Sequence, residues 1–340
     1  MADNKSLQID AAPTKAFFVD MLVRDIPLET AILDLVDNSV DGAKRFGTAS
    51  KHFDGKRVEI ELSKEKFRIF DNCGGFDQEA ARLYAFRFGR AAKAPRTPHS
   101  IGQFGVGMKR ALFKFGRHFI VQSATDKDAW AIDVDVNKWE TEADWHFPWA
   151  TFKSSDISRN NPGTEIVVDQ LRPEVSAKFG SEKFSDGIAG LIKSKHRQFI
   201  AKGLSISVNG AHIDATDLNL LIGDDGGLKP GVDNLTVSAG GAKVDIRIVV
   251  GLGASLPREA GWYVICNGRI ILEGDRRSVT GWGLLEEEAG RAILPSYHNQ
   301  FARFRGIVSF DSEDSARVPW NTTKTTLIKT AWSGSGPFNA

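Results

Sequence analysis

The segment IPLETAILDLVDNSVDGAKRF, Ile26 to Phe46, constrains the fold of this chain more than any other. Ile32, Leu35, Val36 and Val40 recur at three- and four-residue spacings, the pattern of an amphipathic helix. Pro27 suits a first helical turn, and Glu29 favours a helix N-terminus. Asp34 and Asn38 lie four residues apart and Asp41 three further on, so they share a face, with Asp37 on its flank. Such a face reads in two ways. It is a solvated acidic surface, or it is a site where the Asn38 oxygen helps hold Mg²⁺ against phosphates. In the second case a carboxylate one turn away orients or deprotonates a water.

The rest of the chain supplies strands for this helix to pack on. RVEIELSKEKFRIFD reads as two alternating strands joined by a turn at Ser63–Glu65. HFIVQSA, AWAIDVDV and GTEIVVDQL read as further strands. Arg82 to Arg90, Met108 to Phe115 and Phe184 to Gly203 read as helices, and Ala91 to Ser100 as a polar loop. From Leu204 onward LSISVNG, KVDIRIVVGLG, GWYVICNGRIIL and FRGIVSFDS read as strands, EEEAGRAIL and the neighbourhood of Leu327 as helical, and Gly223 to Gly241 as loop-rich. Helices mix with antiparallel-looking strands in both halves, which predicts an α+β fold or a mixed α/β sandwich rather than a regular βαβ alternation. The 340 residues suggest two domains, with a boundary near residue 200: 1–200, 201–330 and a tail over 331–340.

Charge and cysteine content narrow the function. Lys+Arg minus Asp+Glu is 44 − 43 = +1, so no global charge favours nucleic acid or a membrane surface. Cys73 and Cys266 are the two cysteines, too few for a disulfide scaffold or a Cys-rich zinc site. The seven His show no metal-ligand spacing. No apolar run of about 18 residues exists, and MADNKSLQID lacks a signal peptide's apolar core, so the expectation is a cytoplasmic protein without a membrane segment.

Three further motifs bear on chemistry, each weak alone. In DNCGGF, Asp71 ends a strand before two glycines, which is a turn or an acceptor for an exocyclic amine with room for a base. In IGQFGVGMKRALF, Gly102, Gly105 and Gly107 precede a helix whose N–H groups suit phosphate, but the spacing is neither the Rossmann nor the P-loop pattern. Gly163 and Thr164 open the strand GTEIVVDQL.

An acidic-Asn helix, DxxGG after a strand, GxxGxG before a helix and GT opening a strand, in this order over about residues 26–171, resemble the GHKL ATPase superfamily. That superfamily includes gyrase B, MutL, the ninety-kilodalton heat-shock chaperone, histidine kinases and MORC proteins. LDLVDNSVDGA is similar to the family's ELVDNSxDA. Further on, YVICNGRII resembles the NGR strand of MutL and MORC transducer domains, and VPWNTTKTTL the segment that delivers a lysine into their ATP site.

The resemblance implies a Bergerat-type α/β sandwich ATPase domain followed by a transducer-like α/β domain. It implies Asp34 as general base, Asn38 as Mg²⁺ ligand, Asp71 as acceptor of the adenine amine with Thr164 in support, and Lys324 at the γ-phosphate. Asp41 and Gly42 would line the nucleotide edge of the helix, Gly75 and Phe76 the base. Gly102, Gln103, Phe104, Gly105, Val106, Gly107, Met108 and Lys109 would form the ATP lid and its phosphate contacts, with Lys93 as a further one.

Two departures stand out. The family's Glu is Asp34 here, one methylene shorter, so that water sits closer, hydrolysis is slow, or Asp37 assists. Cys73 replaces the first glycine of DxGxG and is expected to be structural. The implied function is an Mg²⁺-dependent, slow ATPase acting as a nucleotide-gated homodimeric clamp, in DNA repair or phage defence, with a protein effector or DNA as partner. An ATP sensor without turnover is the alternative. A histidine protein kinase is a third, disfavoured because no upstream helix pair carries a phosphoacceptor His.

Overall fold

The computed structural model describes residues 13–46, 53–88, 97–102, 105–216, 218, 220–222, 229–239, 241–283, 295–321 and 323–328. The N-terminal helices are α1 (Lys15–Val23) and α2 (Leu28–Phe46). Strands β1 (Arg57–Leu62) and β2 (Phe67–Asp71) pair antiparallel, and the turn between them closes where Ser63 N–H donates to the Lys66 carbonyl at 3.0 Å. A short α3 (Gln78–Ala80) runs on into a π-turn (Ala81–Ala85), and α4 (Gly107–Phe115) follows. Next come β3 (Gly116–Ala124), β4 (Ala129–Asp135), α5 (Val136–Thr141), β5 (Trp149–Ala150) and β6 (Gly163–Leu171). Helices α6 (Pro173–Phe179), α7 (Glu182–Lys195) and α8 (Arg197–Ala201) precede β7 (Ser205–Val208) and β8 (Ala211–His212).

These eight strands form one sheet in the order β5-β4-β3-β6-β2-β1-β7-β8, antiparallel except where β7 runs parallel to β1. The strand period of two explains its two faces. Val58, Ile60 and Leu62 of β1 are buried on one side with Ile32, Leu35, Val36 and Val40 of α2. Each such side chain contributes roughly 1.5–3 kcal/mol on burial. The other face is polar: Arg68 pairs with Glu61, Asp156 and Glu165 at 2.9, 2.6 and 2.7 Å. A sheet with helices on one face is the expected sandwich.

The second sheet comprises β9 (Gly231–Ala239), β10 (Ala242–Leu252), β11 (Gly261–Cys266), β12 (Arg269–Asp275) and β13 (Phe304–Asp311), in the order β12-β11-β13-β10-β9. Only β11 and β13 pair in parallel. α7 packs on both β7 and β12, so one helix serves both sheets, and a continuous core runs from Val19 through Phe310 to Trp320.

Several expectations need adjusting. LSISVNG, assigned to the second unit, extends the first sheet, so the chain passes between sheets after His212 rather than near residue 200. The helix expected over Phe184–Gly203 is interrupted at His196, whose ring is buried against Asp37. The glycine-rich stretch after Gly223 contains strand β9. Arg82–Arg90 is helical only as far as Ala85 among the described residues. Leu327 is bridged to Trp320 in extended backbone instead of lying in a helix. EEEAGRAIL and the tail 331–340 fall outside the described residues.

Candidate active site

Helical spacing aims Asp34, Asn38 and Asp41 of α2 into a cleft of about 320 Å³. Asp71 at the end of β2 and Thr164 at the start of β6, adjacent through the register Asp71↔Thr164, line the same cleft. Asp71 Oδ2 accepts from Ser39 Oγ at 2.7 Å, and Oδ1 from the Cys73 N–H at 2.8 Å. Burial raises the Asp71 carboxyl above its ordinary range against these two donors. Thr164 Oγ1 lies 3.2 Å from Ser123 Oγ. Ser123 spends its own proton on the Gly163 carbonyl at 3.0 Å, so the Thr164 hydroxyl is the donor of that pair.

Cys73 occupies its expected structural place. It is 1% exposed, and burial pushes its thiol well up. Gly42 is required beneath it, because a Cβ there would come within 2.9 Å of the Cys73 carbonyl oxygen. Gly75 and Phe76 line the cleft, and the structure adds a packing reason for Gly75. Its φ is +61°, and a Cβ would meet the Ala124 carbonyl at 2.2 Å, so glycine here lets the backbone pack on β3.

Asp41 does more than line the cleft. Its carboxylate accepts the Ile101 N–H at 2.8 Å and the Gly102 N–H at 2.7 Å. Asp41 therefore anchors the start of the glycine loop to α2, and burial raises its carboxyl above the ordinary range. Gly105, Val106 and Met108 line the cleft beyond it. α4 starts there without a side-chain cap, leaving backbone N–H groups suited to an anion. Gly107 brings that turn against the base candidate: a Cβ would stand 3.0 Å from Asp34 Oδ2. Lys109, in the same turn, is 2% exposed and donates to the Ala85 carbonyl at 2.6 Å. Burial pulls its ammonium down to about 7. Lys93, Gln103 and Phe104 lie outside the described residues.

Lys324 enters the cleft from the far end of the chain. Its Nζ donates to Asp34 Oδ1 at 2.9 Å and to Asp37 Oδ2 at 2.6 Å. The backbone there has φ +54°, the left-handed region that costs a non-glycine residue about 1–2 kcal/mol. The two carboxylates outweigh burial and raise the Lys324 ammonium above its usual value. Asp37, the alternative base, does not line the cleft. Its carboxylate is buried, and besides Lys324 it accepts from His196 Nε2 at 2.9 Å and Arg269 Nη1 at 2.6 Å. Burial would raise this carboxyl; Arg269, Lys324 and His196 together hold it well below the carboxylate range. Buried at 0% exposure and away from the cleft lining, this carboxylate does not face a water in the cleft.

Residues 26–164 match the model of a family described as histidine kinase-, DNA gyrase B-, and HSP90-like ATPase. Residues 26–164 carry a GHKL-superfamily ATPase domain. The match takes in α2, the Asp71 turn, the glycine loop with α4, and Thr164, which the fold gathers around one cleft. Among solved structures, the ATPase and transducer domains of DNA topoisomerase II from Balamuthia mandrillaris align with a TM-score of 0.49 and 11% identity, over 91% of this chain and 78% of that one. No curated protein sequence matches the chain.

Within the GHKL domain, sequence reasoning missed Ser39, Ser123 and Arg45, whose Nη2 donates to the Gly75 carbonyl at 2.8 Å. Ser39 sits inside the LDLVDNS motif and was findable; Ser123 has no local signal. Outside the domain it missed Asn267 and His196. Asn267 belongs to the NGR turn already singled out, while His196 is an ordinary residue of a helical segment.

Proposed function

We propose that the chain binds ATP with Mg²⁺ in this cleft, hydrolyses it slowly, and works as a nucleotide-gated clamp whose second, transducer-like unit senses the γ-phosphate through Lys324. The observation that carries this reading is the meeting of Asp34 and Lys324, 290 residues apart in sequence, at 2.9 Å in the cleft that Asn38, Asp71 and the start of α4 share. The residues fit the ligands. Asn38 is exposed to the cleft and would hold Mg²⁺, which supplies positive charge to the phosphates. Asp71 would take the adenine amine. The first turn of α4, with Lys109, would receive phosphate oxygens.

Asp34 is the base candidate because its carboxylate lines the cleft, whereas that of Asp37 is buried away from it. While Lys324 holds it, Asp34 is paired rather than free to take a proton. A γ-phosphate is a competing partner for Lys324, so nucleotide binding would release Asp34 toward the attacking water. The same pairing supports the second reading, an ATP sensor in which Asp34 stays on Lys324 and turnover is negligible.

Binding of a non-hydrolysable ATP analogue with Mg²⁺, phosphate release and light scattering test the proposal together. The expected outcome is nucleotide binding, slow release and a larger particle with nucleotide. Asp34→Asn should abolish release with binding retained, and Lys324→Ala should lower it about 10²-fold. Tight binding without release selects the sensor. Absence of binding overturns both readings, and an unchanged rate in Asp34→Asn removes Asp34 as base.

A further inference from the structure

Asp37 is adjacent in sequence to the candidate Mg²⁺ ligand, yet its side chain points into the protein and is 0% exposed. Its three donors come from three places: His196 at the break between α7 and α8, Arg269 at the start of β12, and Lys324 beyond β13. Of these, Lys324 also reaches Asp34. The charges nearly cancel. Two carboxylates face one guanidinium and one ammonium, and burial holds His196 below its ordinary value, leaving it a neutral donor through Nε2–H.

The division of labour within this cluster has a consequence. Removing one partner from a buried ion pair is costly because the other charge is left alone. Asp37 avoids that penalty if Lys324 departs, since Arg269 at 2.6 Å and His196 at 2.9 Å remain on it. Lys324 is thus held by a site that can release it.

We propose that Asp37 is a positioning residue. Together with Arg269 and His196 it forms a dock that holds Lys324 beside Asp34 and gives it up when a phosphate arrives. Arg269, the Arg of the NGR turn, keeps the dock neutral after release, which makes the second sheet part of the lysine's delivery. The role rests on the ATPase reading, but the state of Lys324 is measurable without turnover.

The test is limited trypsin digestion of the full chain, with the cut after Lys324 quantified by mass spectrometry. Cuts after Lys66 and Lys178, with side chains 48% and 55% exposed, serve as references. Asp37→Asn abolishes the dock and should speed cleavage after Lys324 about tenfold. Arg269→Gln leaves Lys324 as the main cation on Asp37 and should slow it severalfold. A merely structural loosening would speed both. The proposal is overturned if both variants speed cleavage, or if neither changes it relative to the references.

Kinetics give a second arm. Asp37→Asn should leave the Kd for an ATP analogue within about threefold and lower kcat tenfold or more, with no further loss when added to Lys324→Ala. Multiplying losses, or a Kd that rises in step, would show that Asp37 acts by another route. Should Asp37→Asn fold poorly, Arg269→Gln alone decides: slower cleavage supports the dock, and equal or faster cleavage ends it. A wild-type protein that binds no ATP defeats the proposed function, while the digestion still reports on the dock.

Discussion

Burial brings the Lys109 ammonium down to about 7, so its charge depends on conditions close to neutral. At pH 8 the free protein holds this lysine largely neutral, donating to the Ala85 carbonyl. Phosphates beside it favour the charged form and raise its pKa. ATP binding at pH 8 should therefore take up a proton through Lys109, and affinity should fall as pH rises from 7 toward 9. At pH 6 the lysine is already protonated, and its part of the uptake disappears. Calorimetric titration in two buffers of different ionisation enthalpy measures the uptake. In Lys109→Met the pH 8 uptake should vanish; if it persists, Lys109 is not a phosphate contact. At this scale the sequence was informative wherever function follows from local spacing. Asp34 and Asn38 share a face because a helix repeats every 3.6 residues. The role of Asp37 was hidden because its partners lie 159, 232 and 287 residues away, and only the fold joins them.

The elements show the same division. β1, β2, α4 and β6 were legible because each carries its own period and punctuation. α2 was legible for the same reason. β9 was not, since GVDNLTVSA has little apolar alternation and nearly all of it faces outward on an edge strand. β7 read correctly as a strand but was given to the wrong sheet, because a strand's sequence does not name its neighbour, and the two-residue β8 carried too little pattern to be read. Within the first sheet, His118 of β3 bridges two strands, with Nδ1 2.6 Å from Asp169 of β6 and Nε2 2.7 Å from Asp133 of β4. Partial burial would lower its pKa, but the two carboxylates win and raise it. The sign follows from linkage: the clasp contributes fully below the unfolded value near 6.5, and its contribution is lost as pH rises through the higher folded value. The Tm difference between wild type and His118→Gln should be larger at pH 6 than at pH 9. Equal differences at both would mean that the imidazole is not charged in the fold.

For the whole molecule, the question is how the cleft communicates with the second sheet. The turn between β11 and β12 is one direct connection. Asn267, at φ +47°, donates through Nδ2 to the Ser100 carbonyl at 2.9 Å, just before the glycine loop. Its Oδ1 accepts from the Ser312 N–H at 2.9 Å, and its own carbonyl accepts from Lys44 of α2 at 3.0 Å. His99 and Asp311, 2.8 Å apart, make a second crossing nearby. The start of the glycine loop is thereby tied to the strand that carries Arg269. Asn267→Gly keeps the left-handed backbone and removes only the side chain. It strips partners from two buried backbone groups, at about 1–3 kcal/mol each. In wild type, an ATP analogue should slow hydrogen exchange in α2 and α4 and also in β11 and β12. In Asn267→Gly the first protection should remain and the second should fade, because nucleotide would still order the loop but the loop would no longer hold the turn. Retained protection of β11 and β12 would show that the route runs through Lys324 and Asp37 alone, leaving the NGR turn as packing.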